Sequence, residues 1–341
     1  MKKLILSLSA GAVLLSGFAD DFTPVKKKIR MEKREITVSI IGEDLMALPE
    51  KSVEQMIAYW KEAMDREIAN RPDLVVLPEI CDTWRWAPKD ERYHQWLALR
   101  GSRILNAFRE YARQHHCYLI YPTYRPLGNR RYANSSILID RDGDVIAVYD
   151  KVYPTVREMQ FGVVPGRNPV IAETDFGRLG MVICFDLNFW DLMEAYAKLK
   201  PDVLAFSSYY DGGFMRQTWA AKCRSWLIGA TVGELPKTLV GPASEIVRHE
   251  HSYYRTVTVR LNTNCAVVHL DFNRKRMQAA IQKYGPVIGF RDPGGAGMVT
   301  FFSRDPKLFI GQVIREFGIE TWDQYYERSR TDRIRHLNPE K

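Results

Sequence analysis

From residue 36 onward two rhythms of apolar spacing alternate along the chain. ITVSII (36–41) and DLVVLPEI (73–80) are apolar runs of strand length, the second bounded by a proline and continuous enough to be covered on both faces. Between them Ser52 opens a Ser-x-x-Gln capping box, and Val53, Met56, Ile57, Trp60 and Met64 recur at helical spacing. A second helical stripe, Ile104, Leu105, Phe108, Tyr111 and Ala112, leads into a predicted strand over CYLIYPTY (117–124). SSILIDRDGDVIAVYDK (135–151) reads as a hairpin, two alternating runs about Asp142-Gly143. DFGRLG (175–180) predicts another, whose return strand ends at Cys184. A helix over about 189–199, a strand over 202–208 and a helix through Trp219 and Trp226 follow. VTVRLN (257–262) and CAVVHLDF (265–272) finish the predicted sheet-forming part. With no internal repeat or low-complexity tract, the pattern predicts one domain on mixed sheets over 36–304. A tail rich in charge and aromatics, 305–341, is expected to pack on the body or on a partner subunit.

The first nineteen residues break this rhythm. A basic MKK, the apolar run LILSLSAGAVLLSGF and small residues before Asp20 match a cleaved secretory signal over 1–19 better than an uncleaved anchor. The chain is therefore expected to be exported, periplasmic or secreted, and no later segment is long and apolar enough to span a bilayer. Losing Lys2 and Lys3 with the leader lowers the net charge from +8 to +6. Part of the remaining excess sits in KKKIRMEKR (26–34), within a basic linker over 20–35 that is expected to be solvated. That run lacks interleaved aromatics, so no nucleic-acid partner is expected. With 46% apolar and 26% charged residues, the composition is that of a soluble globular chain. Five scattered cysteines (Cys81, Cys117, Cys184, Cys223, Cys265) form neither a disulfide framework nor a zinc spacing. A leftover thiol in an exported chain needs burial or a job.

Three residues at the ends of predicted strands offer a job. Glu79 closes LVVLPE, Lys151 follows the hairpin, and Cys184 ends GMVIC. A carboxylate, an ammonium and a thiol are the parts needed for acyl transfer through a thioester. Glu79 would take the thiol proton, and Lys151 with a backbone N–H after the nucleophile would stabilise the oxyanion. Each residue has a plainer reading: Cys184 as a small core residue, Glu79 as a cap, Lys151 as a solvated charge.

In that order and context, LVVLPE, YDK and GMVICFD resemble the Glu–Lys–Cys motifs of the nitrilase superfamily, the carbon–nitrogen hydrolases. The resemblance spans about 36–275, and PGRNPVIAETDFGRLG, LKPDVLAFSS and WAAKCRSWLIGATVG agree with it. It implies an α+β fold, a four-layer α-β-β-α sandwich, a homodimer or higher homo-oligomer, and no metal or organic cofactor. By the same resemblance Glu79, Lys151 and Cys184 are catalytic, Phe185 contributes its N–H to the oxyanion hole, and Glu158 stands beside the triad. Glu158 could otherwise be a surface partner for Arg157 or Arg167. Trp84, Tyr153 and Tyr209 are candidate pocket walls, together with Trp190 and Tyr210, each with core packing as its plainer reading. Asn188 stands where many family amidases carry a cation, and is a candidate for binding a polar substrate group or capping a helix. The expected activity is hydrolysis of a non-peptide C–N bond in an amide or N-carbamoyl compound. Nitrile hydrolysis, N-acyl transfer and a non-catalytic binding role are its alternatives.

Overall fold

The computed structural model describes residues 21–44, 50, 52–84, 91–251, 253, 255–294 and 297–338; the predicted leader lies outside them. Strand β1 (Glu35–Ile41) precedes helix α1 (Val53–Ile68), whose capping box forms as its sequence predicts. Gln55 N donates to Ser52 Oγ at 3.2 Å and Ser52 N to Gln55 Oε1 at 2.8 Å. β2 is only Leu74–Val76, shorter than the apolar run. Pro78 has no N–H for a ladder, so the chain turns there and presents Glu79 from a turn rather than a strand end. Helix α2 (Glu91–Arg100), which the apolar spacing did not announce, and α3 (Arg103–His115) lead to β3 (Tyr118–Gly128). β4 (Arg131–Ile139) and β5 (Val145–Asp150) form the predicted hairpin. Its turn needs Gly143, which has φ 79° and where a Cβ would lie 2.5 Å from the Arg109 carbonyl oxygen.

After the short helix α4 (Val156–Gln160), β6 (Ile171–Thr174) and β7 (Gly177–Ile183) pair, and a 3-10 turn over Cys184–Asn188 leads into α5 (Trp190–Leu199). β8 (Val203–Ser208), α6 (Met215–Cys223) and β9 (Trp226–Thr231) continue the alternation. Trp226 therefore opens a strand rather than extending a helix, because Arg224 turns left-handed (φ 56°) and ends α6. β10 (Lys237–Val240), β11 (Ile246–Glu250) and β12 (Thr256–Asn262) complete two six-stranded sheets. Their orders are β12-β1-β2-β3-β4-β5 and β11-β10-β9-β8-β7-β6.

The layering follows from side-chain alternation. Along β2 and β3, Leu74, Val76, Tyr118 and Ile120 face the second sheet, whereas Val75, Leu77, Leu119 and Tyr121 join a core with Met56, Trp60 and Phe108 of α1 and α3. Beyond the second sheet, Met193, Tyr196 and Trp219 cover its outer face from α5 and α6. The result is a four-layer α-β-β-α sandwich.

The C-terminal part differs from its expectation. β13 (Cys265–His269) does not extend either large sheet. With α7 (Arg274–Tyr284), β14 (Ile288–Arg291) and β15 (Met298–Ser303), it builds a separate antiparallel sheet ordered β13-β15-β14. Sheet-forming chain thus continues past 272. The tail folds as α8 (Ile310–Glu316) and α9 (Trp322–Leu337); α8 supplies Ile310, Val313 and Ile314 to a local core with Val268, Val299 and Phe301.

Part of the basic run near the start is paired, while Lys26, Lys28 and Arg30 stay exposed as expected. Lys27 pairs with Asp140 (2.8 Å) and Asp144 (2.5 Å) of the β4–β5 turn, Lys33 pairs with Asp202, and Arg34 with Asp73 (3.0 Å). Acids spread over three loops, unremarkable in sequence, give these three cations partners. Among the described residues no helix is long and apolar enough to cross a membrane, and all five cysteines are free thiols.

Candidate active site

Two sheets packed face to face bring the ends of β2, β5 and β7 together, and four chemically able side chains meet there. Glu79 and Lys151 come from the first sheet, Cys184 from the second, and Glu158 from α4. Glu79 sits in a turn held by Cys81 N to Pro122 O at 3.0 Å, followed by Ile80 at φ 49°. A β-branched residue there is strained, and the strain persists because the surrounding core over-determines the turn. Lys151 follows β5; its N donates to Asn134 O at 2.8 Å.

The ammonium of Lys151 donates to Glu79 Oε1 at 2.8 Å and to Glu158 at 2.9 Å (Oε2) and 3.2 Å (Oε1). Asn134 Nδ2 donates to the same two carboxylates, 2.8 Å from each Oε1. Tyr209 N reaches Glu79 Oε2 at 3.2 Å. Glu158 is placed by α4's own capping box: Thr155 N donates to its Oε2 at 2.7 Å and Glu158 N to Thr155 Oγ1 at 3.2 Å. Facing inward to Lys151, it is not the surface partner of Arg157 or Arg167.

Electrostatics sharpen the picture. Burial disfavours the Lys151 ammonium, but the charges of Glu79, Cys184 and Glu158 outweigh it and raise Lys151 above the ordinary lysine value. Burial likewise works against ionised Glu158, yet Lys151 and the hydrogen bonds from Thr155 and Asn134 hold it below the usual carboxylate range. The Cys184 thiol is pushed up to about 12, first by burial and then by the Glu79 charge, against the pull of Lys151 and Ser208. At neutral pH it is a neutral thiol facing a carboxylate.

Cys184 itself has φ 47°, a left-handed position that aims the side chain away from the strand it ends. Asp186 pins that turn, accepting from Ile183 N (3.1 Å), Tyr149 OH (2.7 Å) and Tyr153 N (2.8 Å). Burial moves its carboxyl up to about 6 despite these donors. Phe185 N lies in the first turn of the 3-10 segment, where amides lack an intrahelical acceptor.

Among the pocket candidates, the Tyr153 ring stacks on Phe189 at 3.6 Å and its hydroxyl donates to Asp191. Tyr209 meets Glu79 through its backbone. Asn188 Nδ2 donates to Phe185 O and to Tyr210 OH, both at 3.2 Å. It therefore ties the nucleophile-side turn to the loop after β8 and does not cap α5. Trp84 is not in the wall: it lies in the helix-side core, edge-on to Trp96 at 6.1 Å. An aromatic five residues after Glu79 has no way to announce which side of the turn it takes. Sequence reading missed Asn134, Ser208 and Tyr124, whose phenol faces Glu158, Glu79 and Cys184. The polar Asn134-Ser135-Ser136 inside a buried strand was the available signal. Among the described residues no group of three His, Cys, Asp or Glu is placed to hold a metal ion.

The sequence model described as carbon–nitrogen hydrolase matches residues 42–225. A pantetheinase of Canis lupus familiaris is 26% identical over 36% of this chain, which spans only 24% of that protein. An omega-amidase of Saccharomyces cerevisiae is 24% identical over 63% of this chain and 78% of its own length. A mutant of the amidase from Nesterenkonia sp. AN1, carrying the acetamide moiety of fluoroacetamide on its active-site cysteine, superposes with TM-score 0.59 at 16% identity. That match covers 76% of this chain and all of the other.

Proposed function

The chain belongs to the carbon–nitrogen hydrolase family, and on that footing we propose that it hydrolyses a small amide or N-carbamoyl compound through a thioester on Cys184. The observation that carries this reading is the buried contact of Lys151 Nζ with Glu79 Oε1 at 2.8 Å beside the Cys184 thiol.

As the sulfur attacks the carbonyl carbon, Glu79 takes the thiol proton, so no free thiolate is needed beforehand. A C–S bond forms, and the carbonyl oxygen gains the charge that Lys151 and the Phe185 N–H face. Collapse breaks the C–N bond, and Glu79 hands its proton to the departing nitrogen, releasing ammonia or an amine. Water then attacks the thioester while Glu79 takes a proton from it. The C–S bond breaks, acid product leaves, and the proton returns to sulfur. Glu158, kept ionised by Lys151, holds the ammonium in place rather than exchanging protons. Tyr153, Phe189 and Phe185 flank the nucleophile turn with rings, which favours substrates with an apolar portion.

The test is ammonia release across amides, N-carbamoyl compounds and nitriles, with Cys184→Ala as control. Release from amides or carbamoyl compounds that Cys184→Ala abolishes is expected; release from nitriles alone would make the chain a nitrile hydrolase. Equal rates in parent and variant would end the nucleophile assignment. The proposal includes export through the leader, checked by finding chain that begins near residue 20 outside the cytoplasm. It also includes a homo-oligomer, checked by light scattering.

A further inference from the structure

Four atoms at the heart of the site close a ring of hydrogen bonds. Lys151 Nζ donates to Glu79 Oε1 (2.8 Å) and Glu158 Oε1 (3.2 Å), and Asn134 Nδ2 donates to the same two oxygens (2.8 Å each). Asn134 is fully buried. Both its N–H groups are used in the ring, while its Oδ1 is buried and has no hydrogen-bond partner. Leaving a buried amide oxygen unpaired is costly, because it loses its hydrogen bonds to water and gains none in return. A residue chosen for packing alone would not carry that cost in this place.

A carboxylate oxygen has two lone pairs in its plane. At Glu79 Oε1 both are taken, one by Lys151 and one by Asn134. Oε2 accepts from the Tyr209 N–H at 3.2 Å, and the Cys184 thiol also hydrogen-bonds this carboxylate. We infer that Asn134 is a positioning residue that fixes which oxygen of Glu79 moves the proton: Oε1 is the anchored atom and Oε2 the one that exchanges with Cys184. This rests on the thioester reading of the site. Asn134 suits the task because an amide bridges two carboxylates without titrating and without adding charge. An aspartate of the same shape would put a third carboxylate beside one ammonium. The titratable groups facing Glu79 are Lys151 after β5, Glu158 on α4, Cys184 at the end of β7 and the Tyr124 phenol on β3. The acid limb of any rate profile belongs to this coupled set.

Asn134→Ala and Asn134→Asp test the assignment in two ways. On an amide whose turnover needs Cys184, both lose kcat, by about 10-fold and about 100-fold, with KM within about threefold, because base alignment and not binding is lost. In both, the acid limb moves to higher pH, further for Asp than for Ala. The second measurement needs no substrate: Cys184 alkylation by iodoacetamide at pH 8. Asn134→Asp slows it about tenfold, since an added negative charge keeps the thiol protonated. A merely structural role predicts the reverse, a loosened site alkylated faster, and that result overturns the inference. So do parental kcat and acid limb in either variant. Retained ammonia release in Cys184→Ala would instead bring down the thioester reading itself, which keeps the two failures apart. If Asn134→Ala does not fold, the isosteric Asn134→Asp and its alkylation rate decide alone.

Discussion

Three residues beyond Glu79 the same turn contributes to a second buried charge cluster, and the two teach different things. Asp82 accepts from Arg100 Nη1 at 2.5 Å, from Thr123 Oγ1 at 2.9 and 3.0 Å, from Thr83 Oγ1 at 3.1 Å and from Tyr121 OH. Arg100 spends its other terminal nitrogen on Tyr124 O at 2.9 Å. Both clusters pair a carboxylate with a cation away from water. Yet around Asp82 every member is buried, and so is the neighbouring Cys81 thiol, which burial pushes well above its ordinary value. Around Glu79 the carboxylate accepts a backbone N–H at Oε2 and hydrogen-bonds a thiol that is partly exposed. Burial and charge pairing therefore do not distinguish a reactive centre from a structural clamp. A carboxylate in contact with a reachable nucleophile does. The Asp82 cluster still serves the site, because it locks the turn carrying Glu79 to α2 and β3.

The sharpest way to break this contrast is Cys184→Ala, expected to remove activity by at least about 10³-fold while leaving the thermal midpoint unchanged. A large loss of midpoint would make Cys184 structural, like Asp82. Glu79→Gln should lose about 10²–10⁴-fold in kcat, the worth of a general base. It should also make Cys184 easier to alkylate at pH 8, because the Glu79 charge that holds the thiol up is gone while Lys151 remains; slower alkylation would contradict the assigned electrostatics. Arg100→Met tests the other cluster. It strands Asp82 as an unpaired buried charge and should cost about 3–5 kcal/mol in urea unfolding. Replacing Asp82 by Leu in the same chain should recover part of that loss, and no recovery would mean that Arg100 acts through packing alone.

The smallest effect is the pH course of alkylation in the parent. Because burial and Glu79 move the thiol up to about 12, thiolate below that value grows about tenfold per pH unit, with no plateau between pH 7 and 10. Levelling near pH 9 would mark an ordinary thiol.

Much of the framework was legible. Capping boxes at Ser52 and the hairpin at Asp142-Gly143 depend on neighbours a few residues away, and local chemistry decides them. Helix α2 was not, since its buried side chains include Tyr93 and Arg100, polar residues that break an apolar stripe. The over-long β2 reading came from weighing hydrophobicity without the missing N–H of Pro78. The third sheet was unreadable for another reason: whether β13 extends a large sheet or starts a new one is settled by its partner β15, more than thirty residues on.

By itself the sequence determined where most of the strands and helices form and that a glutamate, a lysine and a cysteine each follow an apolar run. Only the tertiary structure decided that Glu79 and Lys151, 72 positions apart, share one hydrogen bond. It also decided that Asn134 bridges two carboxylates and that Trp84 turns into the core. The reason is physical. Secondary structure answers to contacts within a turn or two, whereas a side chain's charge state and reactivity answer to whatever the packed sheets bring within a few ångströms of it.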